Sequence, residues 1–357
     1  MFRRMAPLGN SLYGKISPDS NGSDYKILGK YPIVSQEEGL ISGYWDNEED
    51  VCRIKHPIVA FGDHTRIIKY IDFDFVIGAD GLKVLSPIKE IVPKFLFYFL
   101  RWCNIPSLGY SRHYKLLKEL MIPIPSIEEQ ERIVTELDLL TGIIDKQKQQ
   151  LKELDNLAQS IFYDMFKEEL TSLATKRLKD IASYRIGLTY KPTDVADKGV
   201  IVLRSSNIQS NRLDFKDVVR VNLAVDSKKL VSDGDILMCA RNGSAKLVGK
   251  VARIRDIDEE MSFGAFMTTI TSQYNDYLFH FFLSPFFRSQ LGSAQTATIN
   301  QITSKMLDEI KLNVPSLEKL SIFAKKIQSI ELQKASINRS IEESQKLFDY
   351  TMDKYFG

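Results

Sequence analysis

The chain repeats itself at long range. Ile122-Pro123-Ile124-Pro125-Ser126-Ile127-Glu128 is matched by Leu312-Asn313-Val314-Pro315-Ser316-Leu317-Glu318, an offset of 190 residues from Pro125 to Pro315. The offset runs on without a gap until Phe166 falls on Phe356. A period this long excludes a solenoid of small repeats. It calls for two copies of one large module, each a compact region followed by a long helix. A length of 357 residues agrees with two domains. A protein built this way contacts a partner twice, at two points a set distance apart.

The pattern between the repeats is α+β. Residues 1–121 read as a strand-rich domain, with Tyr31-Pro32-Ile33-Val34, Pro57-Ile58-Val59-Ala60-Phe61 and Leu82-Lys83-Val84-Leu85 separated by glycine-containing turns. Residues 171–311 repeat the style with Val200-Ile201-Val202-Leu203, Asp235-Ile236-Leu237-Met238-Cys239 and Met267-Thr268-Thr269-Ile270-Thr271. The segments Phe95–Leu100 and Tyr277–Leu283 are too short for a bilayer. They read as short buried helices at equivalent places, the first opened by Pro93 and the second ended by Pro285. Long helices are expected over 122–170 and 312–357. In the first, Ser126 is a candidate N-cap, with Glu128 and Glu129 in the opening turn. Leu137, Ile144, Leu151, Ala158 and Met165 recur every seven residues, interleaved with Leu140, Gln147, Leu154 and Ile161. That is a coiled-coil seam with one polar member. The second helix continues it through Ile327, Ile330, Ile337, Ile341, Leu347 and Phe348, with Lys334 and Ser344 where the first copy is apolar. An antiparallel pair of these helices is expected to hold the two domains apart.

The motifs of several chemistries are missing. The sequence has no phosphate-binding loop, no dinucleotide fingerprint, no Asn/Asp-Pro-Pro-aromatic segment of a base methylase, and no clustered Cys/His metal site. Asp72 with Asp74 and Asp233 with Asp235 are close acidic pairs, the latter a turn before a strand. Cys52, Cys103 and Cys239 are scattered, as small buried hydrophobes of a reducing cytoplasm would be. Met1–Met5 carries charge but no apolar run behind it. The expectation is a non-catalytic, cytoplasmic protein with no metal or cofactor of its own.

Polar side chains suited to base edges collect in the second domain. Arg204, Asn207 and Gln209 follow one strand. Arg241, Asn242, Lys246 and Lys250 follow another, and Asn300 and Gln301 lie in a later loop. Arginine can bind guanine bidentately, and asparagine or glutamine can bind adenine the same way. Lysines neutralise phosphates. In the first domain, His64, Arg66 and Lys69 end a strand, and Arg112, His113 and Lys115 form a basic loop. A solvated Asn-Gly hairpin with ordinary surface charges has the same composition. The net charge of +2 does not by itself announce nucleic acid.

The helix head Ile124-Pro125-Ser126-Ile127-Glu128-Glu129-Gln130-Glu131-Arg132-Ile133-Val134 resembles that of a specificity subunit of a type I restriction–modification system. Phe61-Gly62-Asp63-His64-Thr65 and Gly78-Ala79-Asp80-Gly81 resemble one class of its target recognition domains. Pro192-Thr193-Asp194-Val195, Leu203–Ile208, Arg241-Asn242-Gly243-Ser244 and Ile299–Thr303 resemble another. The resemblance implies two domains, each reading half of a split sequence in double-stranded DNA, with paired helices setting the gap. It also implies docking to two methyltransferase subunits, which bring S-adenosylmethionine, and to a motor-nuclease subunit, which brings ATP and Mg. Two alternatives stay open: the specificity subunit of a combined methylase-nuclease, and a coiled-coil scaffold that binds protein. The sequence departs from the pattern twice. Pro7-Leu8-Gly9-Asn10 is only a weak echo of Arg177–Ile181, which implies a shortened or rearranged start. Glu318-Lys319-Leu320 stands where the first helix has Glu-Glu-Gln, which implies unequal docking at the two ends.

Overall fold

The computed structural model describes residues 2–4 as backbone, and residues 25–78, 81–109, 111–255, 257–291 and 300–357. It divides into two compact units. Residues 1–150 and 336–357 make the first, and 151–335 the second. Each unit takes part of both long helices, Ile127–Thr171 and Leu317–Phe356.

In the first unit, a four-stranded sheet runs in the order Gly43–Trp45, Tyr31–Val34, Phe75–Ile77, Val51–Cys52, with the two inner strands parallel. An antiparallel three-stranded sheet places Ile58–Gly62 between Ile68–Ile71 and Leu82–Leu85. Successive side chains of a strand point to opposite faces. Val59 and Phe61 therefore join Phe95, Phe99 and Leu137 in a core under the helices. Ile58 and Ala60 join Val34, Cys52 and Phe75 in a core between the sheets. Both faces of this strand are covered, which is why its sequence is an unbroken apolar run.

The second unit is built the same way. Val195–Leu203 lies between Val219–Val221 and Met261–Phe263, parallel to the latter. Ile236–Cys239 lies between Val251–Arg253 and Met267–Thr271, antiparallel to both. Ile236 and Met238 enter the core under the helices, while Leu237 and Cys239 enter the core between the sheets. Ser183–Ile186 adds an outer strand beside Met267–Thr271. The short helices Pro93–Trp102 and Asn275–Phe282 occupy equivalent places, as expected. Pro285 does not simply end the second. Ser284 caps a further helix, Pro285–Gln290, with its side chain accepting from the Phe287 amide. Phe2–Arg4 pairs with Met121–Pro123 as Lys176–Arg177 pairs with Lys311–Leu312. The weak echo at Pro7–Asn10 lies outside the described residues.

The two long helices run antiparallel within each unit. In the first, Arg132 donates to the Tyr355 hydroxyl at 3.1 Å and Gln147 Nε2 donates to Ser340 Oγ at 2.7 Å. In the second, Lys334 pairs with Asp155 at 2.5 Å and Lys319 with Glu169 at 2.8 Å. All nine expected seam positions of the first helix are buried or half-buried. Late in that helix the fully buried positions become Phe162 and Phe166. A straight helix drifts by about 20° per heptad, which moves the buried stripe off the strict seven-residue repeat. Phe166 itself leaves helical geometry (φ −116°, ψ 20°). It packs on Phe162, Tyr277 and Phe323. Its repeat partner Phe356 packs on Phe95, Phe99 and Trp102. In the second helix, Leu347 is 51% exposed and does not belong to the seam; Phe348 does.

Candidate nucleic-acid interface

In the second unit four chain segments meet where the central strand Ile236–Cys239 ends. The backbone amides of Ala240 and Arg241 both donate to the Phe266 carbonyl at 2.9 Å. The Ile302 amide donates to the Ala240 carbonyl at 2.7 Å, and Arg241 and Gln301 face each other as an antiparallel bridge. Asn242 Nδ2 donates to Ser205 Oγ at 3.1 Å, which ties in the loop after Leu203. Asn242 Oδ1 accepts from the Ser244 amide at 2.9 Å, closing a side-chain turn. Asn300 Nδ2 donates to the Gly243 carbonyl at 3.1 Å. Gly187 lies against the backbone that leads into the Phe266 turn: a Cβ there would sit 2.2 Å from the carbonyl oxygens of Phe263 and Gly264. Arg241, Lys246 and Gln301 are exposed on the surface so formed, and Asn242, Lys250 and Asn300 are half-buried.

The loop after Leu203 is a correction to the sequence reading. Asn207 is 1% exposed and its amide is consumed internally. Its Oδ1 accepts from the Arg204 amide at 2.8 Å, and its Nδ2 donates to the carbonyls of Asp214 and Asp217, each at 2.9 Å. It holds the loop and has no donor left for a base. Arg204 pairs with Asp217 at 2.8 Å. Gln209 is exposed and donates to the Ser206 carbonyl at 3.0 Å.

The equivalent junction in the first unit is built around Asp63, which is 1% exposed. Its amide donates to the Gly81 carbonyl at 2.7 Å, and its carboxylate accepts from the Tyr114 amide at 2.7 Å. The residues 79–80 of the Gly78–Gly81 motif lie outside the described residues, but Gly81 (φ +111°) sits against the Gln36 side chain. Thr65 Oγ1 donates to the Gln36 carbonyl at 2.6 Å, and the His64 amide donates to Gln36 Oε1 at 3.2 Å.

Two expected readers here are interior. His113 is 0% exposed; its Nδ1 donates to the Asp63 carbonyl at 2.8 Å while its Nε2 accepts from the Leu108 amide at 2.8 Å. Lys69 is 4% exposed and donates to the carbonyls of Ser35 (2.7 Å) and Gly39. Burial lowers its ammonium pKa, opposed by the charge of Glu37. Neither is free to meet a base or phosphate. Arg66 (φ +64°) spends one donor on the Ile105 carbonyl at 2.9 Å. His64, Arg112 and Lys115 are exposed.

The sequence reading missed Phe266, Ser205, Gln36 and Asp63. Asp63 and Ser205 lie inside the family-like segments Phe61–Thr65 and Leu203–Ile208, but nothing local marks Asp63 as buried or Ser205 as a partner of Asn242. Phe266 follows Gly264-Ala265 and looks like the start of the next strand. It is instead 60% exposed in the turn closed by Met267 donating to the Gly264 carbonyl, with the Arg241 guanidinium 5.4 Å from its ring centre.

The family described as type I restriction modification DNA specificity domain matches residues 13–156 and 172–344. The chain belongs to that family. Each matched specificity domain holds a strand-rich region and most of the long helix that follows it. The chain is 32% identical over 180 residues to the type I restriction enzyme StySPI specificity subunit of Salmonella potsdam, a match covering 48% of this chain and 38% of that relative. It is 23% identical over 343 residues to the MjaVIII specificity subunit of Methanocaldococcus jannaschii, covering 86% of this chain and 81% of that one. Its fold is shared with the type I system S subunit from M. genitalium (TM-score 0.50, 15% identity, 93% of this chain and 90% of that one). A chain solved to describe assembly and conformational transition of a type I system also shares it (TM-score 0.50, 17% identity, 100% and 97%). Among the described residues, no helix of this specificity protein is long and apolar enough to cross a membrane.

Proposed function

We propose that the chain reads a split sequence in double-stranded DNA, one half with each specificity domain, and directs the methyltransferase and motor-nuclease subunits of a type I complex to it. The observation that carries this reading is the duplicated strand end, which gathers loops from distant parts of the chain onto one surface in each unit. In the second unit that surface exposes Arg241, Lys246 and Gln301, groups that read base edges and meet phosphate. The chain supplies address and not chemistry. S-adenosylmethionine belongs on the methyltransferase subunits, of which there are two, and ATP and Mg belong on the motor-nuclease subunit. The antiparallel helices act as a spacer that sets the number of unread base pairs.

Mapping methylation in host DNA with and without the gene tests this directly. The expected result is one split motif that vanishes with the gene. Inserting a heptad into the first helix between Leu137 and Met165, with a matching insertion in the second, is expected to lengthen the gap and leave both halves unchanged. Altered half-sites would remove the spacer role.

A further inference from the structure

Most arginines of the second unit are committed to carboxylates. Arg185 pairs with Asp235, Arg204 with Asp217, Arg220 with Glu259 and Arg253 with Asp276. A carboxylate takes the in-plane N–H donors that an arginine needs to grip guanine. Arg241 is held differently. Its guanidinium lies over the ring of Phe266, at 5.4 Å from the centroid. A cation over a ring face is attracted by the quadrupole and keeps its in-plane donors free.

Phe266 makes no sense as core. The residue is 60% exposed, while its backbone carbonyl accepts from both Ala240 and Arg241 and fixes the turn to the strand end. The carbonyl contacts would survive any side chain at this position. Among the described residues, the ring meets the Arg241 cation. Gln301 stands directly opposite Arg241 in the bridge, and bridged residues send their side chains out on the same side. The surface therefore presents a ring, an arginine on it, and a glutamine beside it.

We propose that Phe266 is a positioning residue for base reading: it holds the Arg241 guanidinium so that its donor edge meets one base pair, with Gln301 placed for the neighbouring one. This rests on the DNA-reading function proposed above.

The test uses the full chain co-expressed with its methyltransferase subunits. Methylation mapping first defines the split motif; competition binding then uses duplexes with one base pair of that motif changed at a time. Arg241→Ala is expected to cut discrimination at a single base pair by about ten- to hundredfold. Phe266→Ala is expected to cut it at the same base pair by about two- to fivefold, with Phe266→Leu behaving alike and Phe266→Trp preserving it. The slope of affinity against salt stays unchanged in all three Phe266 variants, because no phosphate contact is lost. Three results overturn the inference: unchanged discrimination in Phe266→Ala, relaxation at a different base pair from Arg241→Ala, or full retention in Phe266→Leu. Absence of any split motif in the unaltered protein is a separate failure. It removes the DNA-reading function, and this inference with it.

Discussion

At the end of its central strand the first unit carries Asp63, and the second carries Ala240 followed by Arg241. The scaffold around Asp63 and Ala240 is alike: each amide bonds to the residue just before a neighbouring strand, Gly81 or Phe266, and each carbonyl accepts from a later segment, at His113 or Ile302. The use made of the strand end differs. Asp63 is 1% exposed and binds the 113–114 segment from inside, while Arg241 is exposed on an aromatic ring. The long helices repeat the lesson. Ile144 and Lys334 are repeat partners, each 5% exposed, yet one is apolar and the other is a cation held by Asp155 and Glu331. One duplicated backbone supports two chemistries at the same place, because the neighbours that satisfy each side chain differ.

That contrast can be broken from either end. The largest effect is expected from the interior polar residues. His113→Ala and Asn207→Ala each strand buried backbone groups, and should cost about 2–3 kcal/mol in unfolding free energy. Hydrogen exchange should localise the loss to the unit that carries the change. Arg241→Ala should cost less than about 0.5 kcal/mol in the same measurement, since an exposed side chain leaves nothing buried behind. A comparable loss in Arg241→Ala would make it a structural residue like Asp63.

Lys334→Met comes next. It removes a buried cation and leaves Asp155 and Glu331 without it, an expected loss of about 1–2 kcal/mol in denaturant unfolding. The matching change in the first unit, Gln147→Leu, should be neutral or stabilising by less than about 1 kcal/mol. Gln147 Oε1 is buried without a partner, so leucine removes an existing cost while losing one bond to Ser340.

Acid sensitivity should differ between the units as well. His280 is stacked on Phe162 and buried, and desolvation, helped by the charges of Arg253 and Lys334, pulls its pKa down to about 3. The unfolded chain binds this proton near the ordinary value of about 6.5, and the folded chain resists it. Stability from this group is complete above about pH 6.5 and is lost as pH falls toward 3. His280→Phe should flatten that part of the second unit's acid profile by at least ~1 kcal/mol, read by chemical unfolding at successive pH values.

Much of the architecture was legible before any coordinates. The helix heads at Pro125 and Pro315 and the seam from Leu137 onward follow from local periodicity and capping, which need only neighbours within a few residues. The apolar run Ile58–Phe61 marked a strand. Lys69, His113 and Asn207 were misread for one shared reason. Their partners are backbone carbonyls and amides far along the chain or in irregular loops, at Ser35, Asp63 and Asp217. A carbonyl has no sequence signature. A lysine, histidine or asparagine after a strand therefore reads as a surface group whichever way it points.

The amino-acid order alone determined that there are two modules, that each ends in a long helix with a heptad stripe, and that polar side chains suited to DNA follow the central strands. Only the tertiary structure decided which of those side chains face outward. It also decided that Phe166 and Phe356, alike in sequence, are seated in the aromatic cores of different units. The physical reason is range. Periodicity and caps act over one or two turns of chain, whereas the burial of a single polar or aromatic residue is set by partners outside its own element, such as Asp217 for Asn207, Asp63 for His113 and Tyr277 for Phe166.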